Sequence, residues 1–421
     1  MTEVAVQEGY AAASVARVIA RAGVSRPTFY EYFTDREDCF LSTHRALASD
    51  LLDRVRLTVR EGEARRAVQG AVTAIVDLAS SEPDTARFLM QEAMAAGAGA
   101  RDERDRTIAT IAAIVEDARA EAPPDTPTPD LSVSALVGGV YRLLSVRLRR
   151  GERDLEQLLG DLERWLETYE QPTREHRWRT PKEAAARQPI GAPDPSEPIW
   201  LAPPPLPRSR SGVSDGEISQ NQRERIMFAA VQIAYEQGYA KTTIADITAT
   251  ARLDRRVFYQ HFRDKQEAFL CALEKAVQQA IAVAASGFFS APAWPDRVWE
   301  AGNALTRFLA NNIVLTHVGF IESYAIGPGA LRRFEDLRTA FTIFLQEGYQ
   351  HQRDMTAPAS APSMEAIAAT IFEIAYQETR RGHAAEMPRQ LPNVAHLCLA
   401  PFIGAEASNR FIDVKTGVKA S

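Results

Sequence analysis

The sequence predicts an all-α protein built from two similar halves. Segments such as AVQGAVTAIVDLA, RTIATIAAIVEDA, LEQLLGDLERWLETY and ALTRFLANNIV repeat apolar residues every three or four positions, which is the period of an amphipathic helix. The stretch SRPTFYEYF, Ser25 to Phe33, returns later in the chain as DRRVFYQHF, Asp254 to Phe262. At 421 residues the chain is long enough for two or more domains. We therefore expect a tandem duplication of a helical unit.

Composition and charge limit the class of protein. Hydrophobic residues make up 45% of the chain and charged residues 25%, which is the balance of a globular protein. No run approaches the roughly 18 to 20 apolar residues of a spanning helix, and the N-terminal MTEVAVQEGY lacks the basic start and apolar core of a signal peptide. We expect a cytoplasmic protein with no membrane partner. The formal net charge of -6 argues against a nonspecific nucleic-acid coat but is compatible with a local basic patch.

Motifs for catalysis or metal binding are missing from the sequence. The three cysteines are scattered, without a CxxC pair or clustered histidines, so we expect neither disulfides nor a metal site. The chain shows no nucleophile elbow, Walker loop or Rossmann glycine pattern. We therefore predict no catalytic residues, no cofactor and no enzymatic activity.

The two halves align without a gap over their first segments. Gly9-Tyr10 matches Gly238-Tyr239, and Phe29-Tyr30 matches Phe258-Tyr259. The likeness then fades, but a late helical run ends in Arg-Arg-Gly in both halves, at 149–151 and 380–382. Each half is predicted to begin with a small domain of short helices, called its head below. The predicted boundaries are 1–45 for the first head, 46–170 for a first helical domain, 171–217 for a Pro-rich linker, 218–271 for the second head, 272–410 for a second helical domain and 411–421 for a tail. Within the linker, PPPLP favours polyproline II, and Trp178 and Trp200 either pack on a domain or stay exposed.

Each head is predicted to fold as three short helices. In the second copy, apolar residues from Ile226 onward mark a first helix that ends at Gly238. A second helix opens at Thr243, whose hydroxyl and the Asp246 carboxylate have the spacing of a capping box. After a brief turn, Asp254 is placed to cap a third helix. Two short helices joined by a tight turn are a helix-turn-helix.

The third helix of each head has an apolar face and a polar face. Phe258 and Phe262 lie four residues apart, as do Phe29 and Phe33, so these rings are expected in the core. The opposite face carries Arg255, Arg256 and Tyr259 in the second copy, matched by Arg26, Pro27 and Tyr30 in the first. These side chains lie in the N-terminal turns of the helix, where such a helix meets base edges in a major groove.

The segments SVARVIARAGVSRPTFYEYFTDRE and TTIADITATARLDRRVFYQHFRDKQ resemble the DNA-binding region of TetR-type (tetracycline-repressor-like) bacterial regulators. The resemblance implies that each half is a three-helix head followed by a helical effector and dimerisation domain, whose last two helices form a four-helix bundle with a partner. It also implies a double-stranded DNA operator and a small-molecule effector as partners. The function implied is transcription regulation, as a repressor that an apolar effector releases from its operator.

The resemblance also implies roles for individual residues. It implies phosphate contacts from Ser14 and Thr243, base contacts from Ser25, Arg26, Thr28, Asp254, Arg255 and Arg256, and contacts to the DNA backbone from Tyr30, Arg36, Tyr259, His261 and Lys265. Asp254 is alternatively only a helix cap. An effector pocket would use Phe88, Met90 and Met94 in the first half and Trp299, Phe308, Phe320 and Tyr324 in the second, with His317 and Glu322 orienting the ligand. The other interpretation of these residues is ordinary core.

Departures from the family pattern leave alternatives open. Only eight residues precede Gly9, so the first helix of the first copy is truncated relative to the second, and either the true start lies upstream or the first head is weakened. Arg252 stands where the first copy has Gly23, so this turn cannot rely on the conformational freedom of glycine. The groove-facing residues differ, SRPT against DRRV, so the heads are expected to bind unlike half-sites. The two halves form either an intrachain pseudo-dimer or part of an ordinary homodimer. The alternative function is a helical adaptor that keeps the fold with weak or no DNA binding.

Overall fold

The computed structural model describes residues 1–121, 128–129, 131–171, 198, 200–204, 213–352 and 359–417. Over these residues the chain is helical apart from one short antiparallel pair of two-residue strands, β1 (Thr128–Pro129) and β2 (Glu170–Gln171), in which Thr128 pairs with Gln171. The predicted all-α class is confirmed.

The first half contains ten α-helices among its described residues. In chain order they are α1 (Thr2–Glu8), α2 (Val15–Ala22), α3 (Arg26–Tyr32), α4 (Arg36–Glu61), α5 (Ala67–Ser81), α6 (Pro83–Arg87), α7 (Ala93–Ala95), α8 (Ala98–Ala120), α9 (Val133–Arg149) and α10 (Leu159–Glu167). A π-helical segment, Phe88–Glu92, lies between α6 and α7. Short 3₁₀ turns cover Tyr10–Ala12, Ala64–Arg66 and Leu155–Leu158.

The second half repeats this order from α11 onward. Its helices are α11 (Asp215–Gln237), α12 (Ile244–Ala251), α13 (Arg255–His261), α14 (Lys265–Phe289), α15 (Trp294–Asn311), α16 (Ile313–His317), α17 (Ser323–Ile326), α18 (Pro328–Gln346), α19 (Ala361–Arg380), α20 (Leu391–Ile403) and α21 (Ala405–Thr416). A second π-helical segment, Val318–Glu322, precedes α17, and 3₁₀ turns cover Glu347–His351 and Ala384–Gln390.

The chain divides into two compact units that do not coincide with the two halves. The first unit comprises Met1–Arg179, Leu345–Ile374 and His396–Ser421, and the second comprises Thr180–Phe344 and Ala375–Ala395. The first unit therefore contains the whole first half together with late segments of the second half. Each unit contains one of the two heads.

Inside the first unit, helices from both halves share a core. Arg147 of α9 forms an ion pair with Glu365 of α19, in which Nη2 lies 2.9 Å from Oε1. The Tyr169 hydroxyl, which follows α10, donates to the carbonyl of Leu397 in α20 at 2.9 Å and accepts a hydrogen bond from Trp165 Nε1 at 2.8 Å. Because Trp165 and Tyr169 are buried, these contacts belong to an interior and not to a surface encounter.

In the second unit, the described part of the linker lies on α11. The Trp200 ring stacks on Phe228 with centroids 6.2 Å apart, and Asn221 Nδ2 donates to the Pro204 carbonyl at 2.9 Å. Trp200 thus packs on a domain, whereas Trp178 lies outside the described residues. Helix α11 begins where the Pro-rich segment ends, at a capping box between Ser214 and Glu217.

Helix α14 is long and apolar enough, with a mean hydropathy of 1.3 over its most apolar window, to cross a membrane by length and composition alone. Within that window 44% of the residues are buried inside the protein. Phe269, Ala272 and Leu273 of this helix lie in the same core as the second head. The burial pattern is that of a core helix.

Candidate nucleic-acid interface

The first head is held in shape by local caps and a small apolar core. The Ser14 hydroxyl accepts from Arg17 N at the start of α2, and the left-handed Gly23, with φ 67°, ends that helix. Ser25 caps α3 by accepting from Thr28 N at 3.2 Å. Buried Phe29 packs with Val18 and Cys39, while Phe33 is partly buried beside them. The expected core role of both phenylalanines is therefore observed.

The second head repeats this arrangement with different caps. Thr243 and Asp246 form the predicted capping box, with Asp246 N donating to Thr243 Oγ1 at 3.2 Å and Thr243 N donating to Asp246 Oδ2 at 3.0 Å. Phe258 and Phe262 are both buried. Asp254 occupies the N-cap position of α13, but its carboxylate makes no capping hydrogen bond. An exposed carboxylate at the start of α13 is consequently available to a donor outside the head.

The turn between α12 and α13 contains a conformational exception. Among the residues that the structure describes, Arg252 is the non-glycine residue with positive φ, at 52°, and it occupies the position of Gly23 in the first head. Both residues end the second helix of their head in the left-handed region. An L-residue in this region is strained, so the fold of the second head imposes the turn on Arg252.

Both heads present the same exposed arginine and tyrosine pair on the third helix. The Arg26 guanidinium carbon lies 5.8 Å from the ring centroid of Tyr30, and the corresponding distance from Arg255 to Tyr259 is 5.7 Å. Arg255 Nη2 also lies 3.3 Å from the Tyr259 hydroxyl. Arg256, one residue on, is exposed as well. A guanidinium held over a ring loses less rotamer freedom when it binds a planar acceptor such as a guanine edge.

The surroundings of these pairs differ in charge. On α2 of the first head, Arg17 pairs with Glu8 and Arg21 pairs with Glu3, both glutamates lying on α1. In the second head Arg252 and Arg256 are exposed near the N-terminal end of α13. The arginines beside the third helix are thus ion-paired in the first head, whereas in the second head exposed arginines stand beside the exposed carboxylate of Asp254.

Three of the predicted backbone-contacting residues bind within their own head. Lys265 Nζ donates to the carbonyls of Tyr239 at 2.9 Å and Thr242 at 2.8 Å, and burial lowers its pKa. Arg36 lies 4.3 Å from the ring centroid of Tyr10 and makes the matching contacts to that turn in the first head. His261 is 3.1 Å from Gln222 Oε1, and burial followed by the nearby Arg223 charge lowers its pKa. A phosphate contact from these side chains remains a prediction.

A buried glutamate links each head to the helical domain of its own half. Glu92 Oε2 accepts from Tyr10 N at 2.9 Å, and Glu322 Oε2 accepts from Tyr239 N at 2.8 Å. Both glutamates, called the turn glutamates below, are the last residues of the two π-helical segments. Both bind the turn that follows a positive-φ glycine at the end of the head's first helix. Burial raises the pKa of Glu92, while the Tyr10 N–H and Arg87 act against that rise.

The repeat extends through the turn glutamates once a one-residue insertion is allowed. The stretch EAMAAGAGA after Gln91 matches ESYAIGPGA after Ile321 in five positions that include both glutamates, Gly97 and Gly327. The two glycines have φ of 110° and 111°. The gap-free alignment overlooked Glu92, and this insertion is the sequence signal that identifies it.

The residues predicted to line an effector pocket lie in the interiors of their own units. Phe88, Met90, Met94, Trp299, Phe308, Phe320 and Glu322 are buried, and His317 and Tyr324 are half-buried. His317 packs edge-on against Tyr235 at 5.1 Å, and Phe320 packs against Phe334 at 5.7 Å. Glu322, predicted to orient a ligand, binds the head turn instead of pointing into open space. Ligand binding by the remaining residues stays a prediction.

Comparison with known proteins points to one family. The profile described as bacterial regulatory proteins, tetR family, matches residues 2–43 and again residues 226–270, which cover the two heads. The HTH-type transcriptional regulator HbdR of Aromatoleum sp. (strain CIB) is 32% identical over 68 residues. That match spans 16% of this chain and 30% of HbdR, so the chain covers less than a third of the length of this relative.

Solved structures of regulators resemble about half of the chain. The fatty acid degradation regulator FadR from Bacillus halodurans is 16% identical, with 42% of this chain and 94% of that one covered at a TM-score of 0.39. FadR from Bacillus subtilis, solved in complex with stearoyl-CoA, is 14% identical, with coverages of 42% and 97% at a TM-score of 0.37.

Proposed function

Because the chain is a member of the bacterial tetR family of regulatory proteins, with the N-terminal region of that family present twice, we propose that it regulates transcription by binding an operator in double-stranded DNA. The observation that carries the proposal is the repeated pair of an exposed arginine over an exposed tyrosine at the start of α3 and α13. The arginine and the tyrosine of each pair are exposed, whereas Phe29 and Phe258 of the same helices are buried, so an apolar core alone does not account for the repeated pair. Binding of the chromosome places its action in the cytoplasm.

Each head would bind one half-site. Arg26, Arg255 and Arg256 would read base edges, and the N-termini of α2 and α12, capped by Ser14 and Thr243, would lie against phosphates. Half-sites one helical turn apart, about 34 to 36 Å, are the expected operator spacing. Since the two heads carry different residues at the groove-facing positions, the half-sites would differ in sequence.

The two heads of one operator complex would come from one chain. The ion pairs that join α9 to α19, and the hydrogen bond from Tyr169 after α10 to α20, lie within the first unit and support an intrachain pseudo-dimer. The alternative is a homodimer of chains with four heads. Light scattering separates them, because the pseudo-dimer has the mass of one chain, 46.5 kDa, and the homodimer has twice that mass.

The response to an effector would pass through the turn glutamates. Each lies in a π-helical segment, a rare form that occurs frequently at functional sites. Phe88 and Val318 of these segments lie in the same apolar cores as the first helices of the heads. A ligand that reshaped the π-helical segment would move the carboxylate bonded to Tyr10 N or Tyr239 N. The head would then turn relative to its own helical domain, and simultaneous contact with two half-sites would be lost. Release of a repressor by a small apolar molecule is the outcome we propose.

The decisive experiment is a shift assay with the DNA upstream of the chain's own gene. Specific binding that weakens steeply with rising salt is expected. No binding at low salt would contradict the proposal and favour the helical adaptor, for which the net charge of -6 is the supporting observation. Titration of the bound complex with candidate apolar ligands then tests release.

A further inference from the structure

The inference concerns the contact between α9 and α19, and it rests on the proposed pairing of the two halves within one chain. The sequences Arg149-Arg150-Gly151 and Arg380-Arg381-Gly382 end these helices in the same way, with φ of 79° at Gly151 and 78° at Gly382. Aligning the two endings makes Gly139 equivalent to Thr370 and Arg142 equivalent to Glu373.

In the first unit, both pairs of equivalent residues touch each other. A Cβ added at Gly139 would lie 2.0 Å from Thr370 Oγ1, and Arg142 Nη2 lies 3.0 Å from Glu373 Oε2. When two similar helices are related by a two-fold axis, a residue meets its own equivalent only beside that axis. The pseudo-two-fold axis of the helix pair therefore passes beside Gly139 and Arg142.

The residues at this axis are opposite in size. Gly139 leaves the space that the Thr370 side chain fills, and a Cβ added at neighbouring Gly138 would lie 2.5 Å from Glu373 Cγ. Two copies of α19 facing each other would bring one threonine side chain against another. Two copies of α9 would instead leave the space unfilled.

The residues are also opposite in charge, and they are buried. Glu373 is fully buried. Its carboxylate accepts two hydrogen bonds from Arg104, from Nη1 to Oε1 at 2.9 Å and from Nη2 to Oε2 at 3.0 Å, in addition to the contact with Arg142. Two copies of the first half would place arginine against arginine at the axis, and two copies of the second half would place glutamate against glutamate. A buried charge that faces its like is far less stable than one that faces its opposite.

We propose that α9 and α19 form a heterotypic interface that accepts one first half and one second half and rejects two like halves. The partner that fits the α9 face is therefore the second half of this chain. Assembly of two chains through like halves is blocked by size and by charge together, which is the way natural interfaces exclude wrong partners.

The test is a double-mutant cycle on the full chain, with thermal unfolding as the measurement. Arg142→Glu places two carboxylates at the axis, as two second halves would, and is expected to lower the unfolding midpoint by on the order of 10 °C. Adding Glu373→Arg restores opposite charges at positions 142 and 373, so the double variant should be more stable than the sum of the two single losses predicts, although Arg104 then faces the introduced arginine. Arg410→Glu on α21, which reverses a charge in a solvent-exposed pair, is the control and should change little.

A second cycle tests the size difference independently and covers the case in which Arg142→Glu does not fold. Gly139→Ala should lower the midpoint, and Thr370→Gly should restore it in the double variant. Additive losses in both cycles, or single variants as stable as the control, would overturn the proposal. Both cycles measure stability, so they can be read even if the chain does not bind DNA. If the losses of the single variants are additive in a chain that binds its operator, only the heterotypic interface is overturned and the proposed function stands.

Discussion

Replacing Arg255 with alanine should remove base preference from one half-site of the operator and leave the other half-site unchanged. The side chain is exposed and contacts the exposed Tyr259 in its own helix, whereas the core of the head contains Phe258 and Phe262. The variant head should therefore fold normally. A bidentate contact from arginine to guanine contributes about 1 to 3 kcal/mol of discrimination, which corresponds to about 5-fold to 150-fold in relative affinity.

The assay is selection of bound sequences from random DNA, followed by affinity measurements on the selected operator and on operators altered in one half-site. Arg26→Ala should affect the other half-site in the same way, because Arg26 occupies the equivalent position in the first head. Arg410→Ala, in a pair with Glu406 on α21, is a matched control outside both heads. If Arg255→Ala weakened all sequences equally and reduced the salt dependence, the residue would be a phosphate contact and the base-reading assignment would be refuted.

Three further outcomes are expected. Glu322→Leu should lower the free energy of unfolding by about 1 to 3 kcal/mol because it leaves the Tyr239 N–H without its acceptor. The midpoint of unfolding measures this loss, and Glu322→Gln, which keeps an acceptor oxygen, is the control. Gly23→Ala should destabilise the first head by about 1 kcal/mol through the left-handed backbone alone, since nothing lies within 4 Å of the added Cβ; an unchanged midpoint in denaturant would contradict this reasoning. Stability should fall as the pH drops from about 4.5 towards 2, because burial alone would raise the pKa of Glu373 but Arg104 and Arg142 lower it from its ordinary value of 4.5 to about 2. The carboxylate therefore stabilises the fold above pH 4.5 and loses that contribution on protonation, which an acid titration of the unfolding midpoint would show.

The heads were predictable because their structure is encoded over a few neighbouring residues. The capping box of Thr243 and Asp246 joins positions three apart, and the core rings Phe258 and Phe262 are four apart. Hydrogen-bond chemistry and helix geometry fix such contacts whatever the rest of the chain does. The helices and core of the helix-turn-helix could therefore be derived from two short stretches of sequence, although Asp254 makes no capping hydrogen bond.

Contacts between distant residues were beyond the reach of local pattern. Glu322 is 83 residues from Tyr239, and Glu373 is 269 residues from Arg104. The predicted phosphate contact of Lys265 remains a prediction, but the hydrogen bonds of its ammonium group to carbonyls of a turn in its own head were not foreseen. Which acceptor such a side chain meets depends on how the helices pack, and helical periodicity carries no information about that.

The composition of the first unit has a consequence for how the chain could be divided. Since Leu345–Ile374 and His396–Ser421 are built into the unit that also holds Met1–Arg179, the peptide bonds that join the two halves are not what keeps those segments together. A single proteolytic nick between the halves should leave two fragments that copurify, and the same two pieces produced from separate genes should find each other in the cell. The covalent connection then governs how quickly, and at what copy number, the complete molecule assembles.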